Sequence, residues 1–246
     1  TGLGLAMAAA VRGYRCVFTI PDKMSQEKID MLKAYGAEVI VTATDLDHHH
    51  PDSYVEIAKR VARETPGSFY TDQYSNPNNP EAHYLTTGPE IWEATDGKID
   101  SFIAGLGTGG TISGTGKYLK EKAVETGRTV RVVGPDPFGS IYKEAHEKGE
   151  WSTPSLYRVE GIGHDFMVDT LDLTVVDEVI NISDRDSFLT ARRLARHEGI
   201  LSGGSTGTVF AGALQEARKL GPGKIVVAIV CDSGDRYISK CFNDEW

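Results

Sequence analysis

Short β-rich runs alternate with stretches of helical spacing along most of the chain. Cys16-Val17-Phe18-Thr19-Ile20 reads as a strand closed by Pro21-Asp22, and Val39-Ile40-Val41 as a second. Between them Ser25 is placed to cap a helix running through Tyr35, with Gly36 just beyond its end. The opening Thr1 to Val11, small and apolar, reads as a helix whose face suits close packing on a sheet. Helical spacing returns at Tyr54 to Glu64, Pro80 to Thr95, Ile112 to Val124, Ser183 to His197 and Thr206 to Leu220. Phe102-Ile103-Ala104, Val130-Arg131-Val132-Val133 and the wholly apolar Ile225 to Val230 read as buried strands. Strands in alternation with helices predict an α/β fold with mainly parallel sheets covered on both faces. Residues 137 to 172 break the rhythm and read as an excursion of loops.

The glycine-rich segments fall at element ends, where chemistry belongs. Gly105-Leu106-Gly107-Thr108-Gly109-Gly110-Thr111 joins an apolar strand to a helix. Four glycines in the six positions from Gly105 to Gly110 exceed the need of a tight turn and carry a high chain-entropy cost. They let backbone amides approach an anion, and Thr108 and Thr111 add hydroxyl donors beside a helix start. Gly105, Gly107 and Gly110 also satisfy GxGxxG, with Asp136 after the next strand where a ribose-binding acid could stand. That dinucleotide reading suffers from the mid-chain position of the loop and from the prolines on both sides of Asp136. A second cluster, Ser202-Gly203-Gly204-Ser205-Thr206-Gly207, opens a helix; Ser205 could equally be its N-cap. Cys231-Asp232-Ser233-Gly234 closes the last strand, the end where open α/β sheets place ligands.

Several of these segments together resemble the cystathionine β-synthase and cysteine synthase family. They are Thr1-Gly2-Leu3-Gly4-Leu5-Ala6, Asp72-Gln73-Tyr74, Gly107-Thr108-Gly109-Gly110-Thr111, Glu160-Gly161-Ile162-Gly163 and Gly203-Gly204-Ser205. The resemblance runs in order from Thr1 to Trp246, and Asp72-Gln73-Tyr74 and Glu160 to Phe166 are most similar to the cystathionine β-synthase branch. It implies pyridoxal 5'-phosphate as cofactor and two three-layer α/β/α domains of the tryptophan-synthase-β type (fold type II), with residues 1–67 in a small mobile domain and 68–246 in the large cofactor-binding one. It further implies that Gly107, Thr108, Gly109, Gly110 and Thr111 hold the cofactor phosphate and that Ser205 faces the pyridine nitrogen. Thr1, Gly2, Tyr74 and Gly163 would line the substrate site. The implied reaction is β-replacement on serine by homocysteine, giving cystathionine, in a homodimer. Cysteine synthase, with O-acetylserine and sulfide, is the nearest alternative; a dehydrogenase or a non-catalytic relative are the others. The family's Schiff-base lysine, and an asparagine before its Thr-Gly, match no position here, so both are expected upstream of Thr1.

Composition narrows the partners. With 26 basic against 35 acidic residues and a net charge of −9, electrostatics argue against nucleic acid as a general partner; the small amino-acid and thiol substrates are what the resemblance implies. No apolar run nears the ~20 residues of a membrane helix, and no secretion signal opens the chain, so a cytoplasmic location is expected. Three cysteines, Cys16, Cys231 and Cys241, form no CxxC pair and argue against a disulfide framework or a zinc site. His48-His49-His50 sits among acids, but adjacent imidazoles on a loop seldom converge on one ion. His164 beside Asp165 reads as local pairing before a proton relay.

Overall fold

A computed structural model describes residues 1–246. They divide into two compact units, Thr1–Thr71 with Asp235–Trp246, and Asp72–Gly234.

The first unit holds helix α1 (Gly2–Arg12), strand β1 (Val17–Pro21), α2 (Gln26–Ala34), β2 (Glu38–Thr42) and α3 (Tyr54–Glu64). β1 and β2 pair in parallel, with Val17 opposite Glu38 and Pro21 opposite Thr42. Ala6, Leu32 and Ala37 form a small core against Leu3, Phe18, Ile20 and Val39. Ser25 is the N-cap of α2 and Gly36 follows its C-cap with φ of 85°. Ser53 caps α3, its hydroxyl accepting from the Glu56 amide at 3.2 Å. The chain's end belongs to this unit: the Ser239 amide and hydroxyl both donate to the Glu27 carboxylate at 2.9 Å.

The second unit is built on a four-stranded, all-parallel sheet. Its elements are α4 (Asn78–Leu85), α5 (Thr87–Ala94), β3 (Ser101–Ile103), α6 (Gly110–Glu125), β4 (Arg131–Pro137), α7 (Tyr142–Lys148), β5 (Glu178–Ile182), α8 (Asp184–Arg193), α9 (Gly204–Leu220) and β6 (Val226–Ala228). The strand order is β5-β4-β3-β6. Alternation along the strands sorts the core into two layers. Phe102 and Val132 pack with Ile112 and Leu119 of α6, while Ile103 and Val133 pack with Val209 and Ala213 of α9. Near the starts of the strands, Arg131 bridges the buried Glu216 at 2.7 Å and Glu178 at 2.9 Å, tying α9 to β4 and β5.

Four elements differ from the expectation. The run Ile225 to Val230, expected as a buried strand, pairs only over Val226–Ala228, which is half-buried, and Ile225 and Val230 are exposed. The helix expected over Pro80 to Thr95 is two, broken at Thr86; Pro89, with no amide to donate, cannot continue the first helix's ladder. The excursion after residue 137 contains α7, on which Glu144 and Lys148 approach to 3.6 Å. β5, with its polar Glu178 and Asn181, is an additional strand.

Glycines on α6 set how closely α4 can pack. A Cβ on Gly114 would overlap the Pro80 carbonyl and stand 2.9 Å from the Tyr84 amide. Gly114→Ala should therefore lower stability by about 1–3 kcal/mol, the usual penalty of overpacking. Gly4, in α1, has nothing within 4 Å of its would-be Cβ, so Gly4→Ala should be neutral or gain up to about 1 kcal/mol in helix propensity. Thermal melts of the two variants check the contrast; equal shifts would contradict it.

Candidate functional site

Because β3 and β4 run to one side and β6 returns to the other side of β3, the chain reverses direction between β3 and β6. Open parallel sheets bind ligands beyond the carboxyl ends of their strands at such a point. The register Ile103 to Ala228 brings the loop after β3, Gly105 to Gly109, beside the segment after β6, Cys231 to Ser233. Ser202 bridges Ser233, the Gly203 amide donates to the Asp232 carbonyl at 3.4 Å, and the Thr206 hydroxyl accepts from the Cys231 amide at 3.0 Å. The second glycine cluster is thus stitched to the same edge.

The first loop's glycines are needed by protein neighbours. A Cβ on Gly105 would lie 2.7 Å from Ile162 Cγ2, and one on Gly107 would lie 2.8 Å from the Gly161 carbonyl oxygen. Gly109 has φ of 81°, and a Cβ there would be 2.5 Å from Leu171 Cα; one on Gly110 would overlap the Asn79 amide. Close packing alone therefore explains glycine at these positions, and the case for an anion rests on other groups. Gly109 is the N-cap of α6 and no side chain caps the first turn, although Gly109, Gly110 and Ile112 are buried. Buried, uncapped helix amides call for an acceptor. Thr108 and Thr111 stand beside them.

A ring of side chains holds the loop from behind. The Thr170 hydroxyl donates to the Thr108 carbonyl at 2.6 Å, and the Tyr142 hydroxyl to the Gly107 carbonyl at 2.9 Å. Asn79 Nδ2 lies 2.8 Å from the Gln73 carbonyl and 2.9 Å from Thr108 Oγ1. His83 Nε2 lies 3.1 Å from Thr111 Oγ1, and its Nδ1 2.9 Å from Thr87 Oγ1. Burial lowers the His83 pKa, favouring neutral imidazole. None of these four residues stood out in the sequence; the one available signal was the spacing of Asn79 and His83, four apart on a helix.

The expected substrate residues of this unit lie nearby. The Gly163 amide donates to the Leu106 carbonyl, and its φ of 78° and the closeness of Pro137 and Tyr157 leave no room for a side chain. The Tyr74 carbonyl accepts from the Thr170 amide at 3.2 Å, and its ring meets His164 edge-on at 5.1 Å. His164 belongs to an aromatic cluster with Tyr74, Tyr142 and Phe166. Thr1 is the N-cap of α1 in the first unit, where its hydroxyl makes no capping bond; a Cβ on Gly2 would meet Leu32 at an ordinary 3.6 Å. Packing within that unit does not demand glycine at position 2.

Ser205 is not a helix cap. Gly203 is the N-cap of α9, and Ser205 lies buried in the first turn, 3% exposed. Cys231, just past β6, is exposed as a residue although its sulfur is desolvated. Crowding round its sulfur raises the thiol pKa, while a hydrogen bond with Ser205 pulls it down.

Asp136 does not fit a ribose. It is fully buried within β4, and neither carboxylate oxygen has a hydrogen-bond partner of good geometry. Desolvation pushes its pKa up to about 8, against a smaller opposing pull from the nearby Ser140 hydroxyl. A raised folded-state pKa means the native protein keeps a proton that the unfolded chain releases near pH 4, so this group's contribution to stability falls as pH rises from about 4 to about 8. Asp136→Asn should flatten that fall and melt above the parent at alkaline pH. Parallel pH profiles for parent and variant would contradict the assignment.

A parallel sheet carrying a buried, hydroxyl-flanked helix start at its reversal point is an α/β arrangement whose donors suit an anionic group. The chain belongs to the pyridoxal-phosphate-dependent enzyme family, which it matches over residues 1–232. It is similar along its whole length to proteins named cystathionine beta-synthase. That of Dictyostelium discoideum is 44% identical over 246 residues, 48% of its own length, and that of Mus musculus 46% identical over 246 residues, 43% of its length. That of Saccharomyces cerevisiae is 41% identical over 254 residues, 49% of its length. The chain spans about half the length of the curated relatives it matches. No helix is long and apolar enough to cross a membrane.

The family's cofactor, pyridoxal phosphate, suits this donor set. Its phosphate needs several N–H and O–H donors, which the uncapped start of α6, Thr108 and Thr111 provide. Its ring nitrogen needs one polar partner, and Ser205 stands in the helix stitched to the neighbouring strand end.

Proposed function

We propose that this chain forms part of the core of a lyase that condenses serine with homocysteine, replacing serine's β-hydroxyl with the thiol and releasing water, to give cystathionine. The observation that carries this is the uncapped, hydroxyl-flanked start of α6 at the sheet's reversal point, within a chain 41–46% identical throughout to cystathionine beta-synthases. The cofactor supplies an electron sink for the substrate's α-carbon. Gly107 to Thr111 bind its phosphate and fix its position; Ser205 hydrogen-bonds the ring nitrogen without supplying negative charge. Thr1 and Gly2, at the amino end of α1, receive the substrate carboxylate. Tyr74 and Gly163 line the place where the amino acid lies.

The same reading makes the first unit, Thr1–Thr71 with Asp235–Trp246, part of a small mobile domain and Asp72–Gly234 the large cofactor-binding domain. The division at residue 67 implied by the resemblance thus shifts by a few residues, and the chain's last residues leave the large domain. It places the protein in the cytoplasm as a homodimer serving transsulfuration and cysteine biosynthesis. The test compares two substrate pairs on the purified full-length protein. Serine with homocysteine should give cystathionine faster than O-acetylserine with sulfide gives cysteine; the reverse order would assign a cysteine synthase instead.

A further inference from the structure

Two threonine hydroxyls flank the start of α6, and each is backed by a polar side chain from one face of α4. Asn79 and His83 are four residues apart there, hence neighbours on the helix surface. The direction of the first hydrogen bond follows from chemistry. A backbone carbonyl only accepts, so the Asn79 atom 2.8 Å from the Gln73 carbonyl is nitrogen. That nitrogen also lies 2.9 Å from Thr108 Oγ1. It must donate there as well, which leaves the Thr108 proton free to point elsewhere.

His83 stands in the same relation to Thr111, with Nε2 3.1 Å from Thr111 Oγ1 and Nδ1 2.9 Å from Thr87 Oγ1. A neutral imidazole has one proton, so the two contacts have two possible senses. With the proton on Nδ1, the ring donates to Thr87 and takes the Thr111 proton for itself. With the proton on Nε2, the ring donates to Thr111, Thr87 donates to Nδ1, and the Thr111 proton is turned outward. An anion at the α6 amides selects the second sense, because only then does Thr111 offer it a donor.

We propose that His83 is a positioning residue for the bound phosphate: its Nε2–H donates to Thr111 Oγ1, as Asn79 donates to Thr108 Oγ1, so that both threonine protons point at the anion. This rests on the reading of Gly107 to Thr111 as the phosphate site. Burial favours the neutral form of His83, in which the tautomer is the deciding variable. Gln can place an amide nitrogen near the Nε2 position and would preserve the donor; Leu would fill the space and remove it.

The test reconstitutes full-length apoenzyme with pyridoxal 5'-phosphate and, separately, with pyridoxal, which lacks the phosphate. His83→Leu should weaken pyridoxal phosphate about ten-fold or more, the scale of one hydrogen bond to a charged group, and leave pyridoxal binding unchanged. His83→Gln should restore most of the loss. On the parent holoenzyme, long-range 1H–15N spectra should show His83 as the Nε2–H tautomer. Equal weakening of both ligands, no weakening of either, or an Nδ1–H tautomer would overturn the role of His83. If the parent itself bound pyridoxal and pyridoxal phosphate equally, the phosphate loop would be misassigned and this inference would fall with it.

Discussion

Replacing Gly109 with aspartate should leave the full-length protein without bound pyridoxal phosphate. Two effects act together. The backbone at Gly109 has φ of 81°, and a Cβ would lie 2.5 Å from Leu171 Cα. Left-handed geometry and overpacking together cost about 2–5 kcal/mol. The new carboxylate would also sit at the buried start of α6 and repel the phosphate meant for its amides. Cofactor absorbance of the purified variant reads the outcome, and normal occupancy would show that the loop does not hold the phosphate. Thr111→Val separates the two effects. It keeps the shape and removes one hydroxyl, so occupancy should fall while the melting temperature of the apoprotein holds.

Ser205→Asp should cut cystathionine formation by roughly two orders of magnitude, the scale seen when one well-placed polar group is lost from a catalytic site. A serine hydroxyl can hydrogen-bond the cofactor's ring nitrogen but cannot supply the charge that would keep it protonated, whereas a carboxylate would raise the nitrogen's pKa at close range. A protonated ring draws electrons from the α-carbon more strongly and opens side reactions such as pyruvate release from serine. Ser205 is 3% exposed, so the added carboxylate also carries a desolvation penalty. Ser205→Ala should keep the fold and lose about ten-fold in rate, in line with a single hydrogen bond to a polar partner. Assays for cystathionine and for pyruvate measure both effects. A Ser205→Asp protein equal to the parent in both would leave Ser205 no part in the chemistry.

Local signals were enough for much of the fold. Ser25 and Gly36 mark the two ends of α2 by residue type alone, although the Ser25 hydroxyl makes no capping bond, and the apolar runs at Phe102 and Val132 need no partner to be recognised. β5 escaped notice because Glu178 and Asn181 interrupt a short apolar run whose pairing with β4 lies far along the chain. The break at Thr86 was written in Pro89, yet the apolar spacing on either side masked it. At the site, the loop Gly107 to Thr111 was visible as a motif, but its glycines had been credited to an anion alone. Their steric need comes from Ile162, Leu171 and Asn79, neighbours that only folding supplies. The same holds for His83 and Thr170, single polar residues with no motif around them. Ser205 shows the opposite case. Its sequence context allowed an N-cap, and only the helix boundary at Gly203 removed that role.

The central claim is that the carboxyl edge between β3 and β6 is where the cofactor sits. A crystal structure of the full-length holoenzyme tests it most directly. The phosphate should lie within hydrogen-bond distance of the amides and hydroxyls of Gly107 to Thr111, with Ser205 Oγ on the pyridine nitrogen. A phosphate held by any other loop, or a carboxylate in place of Ser205 at that nitrogen, would contradict the account.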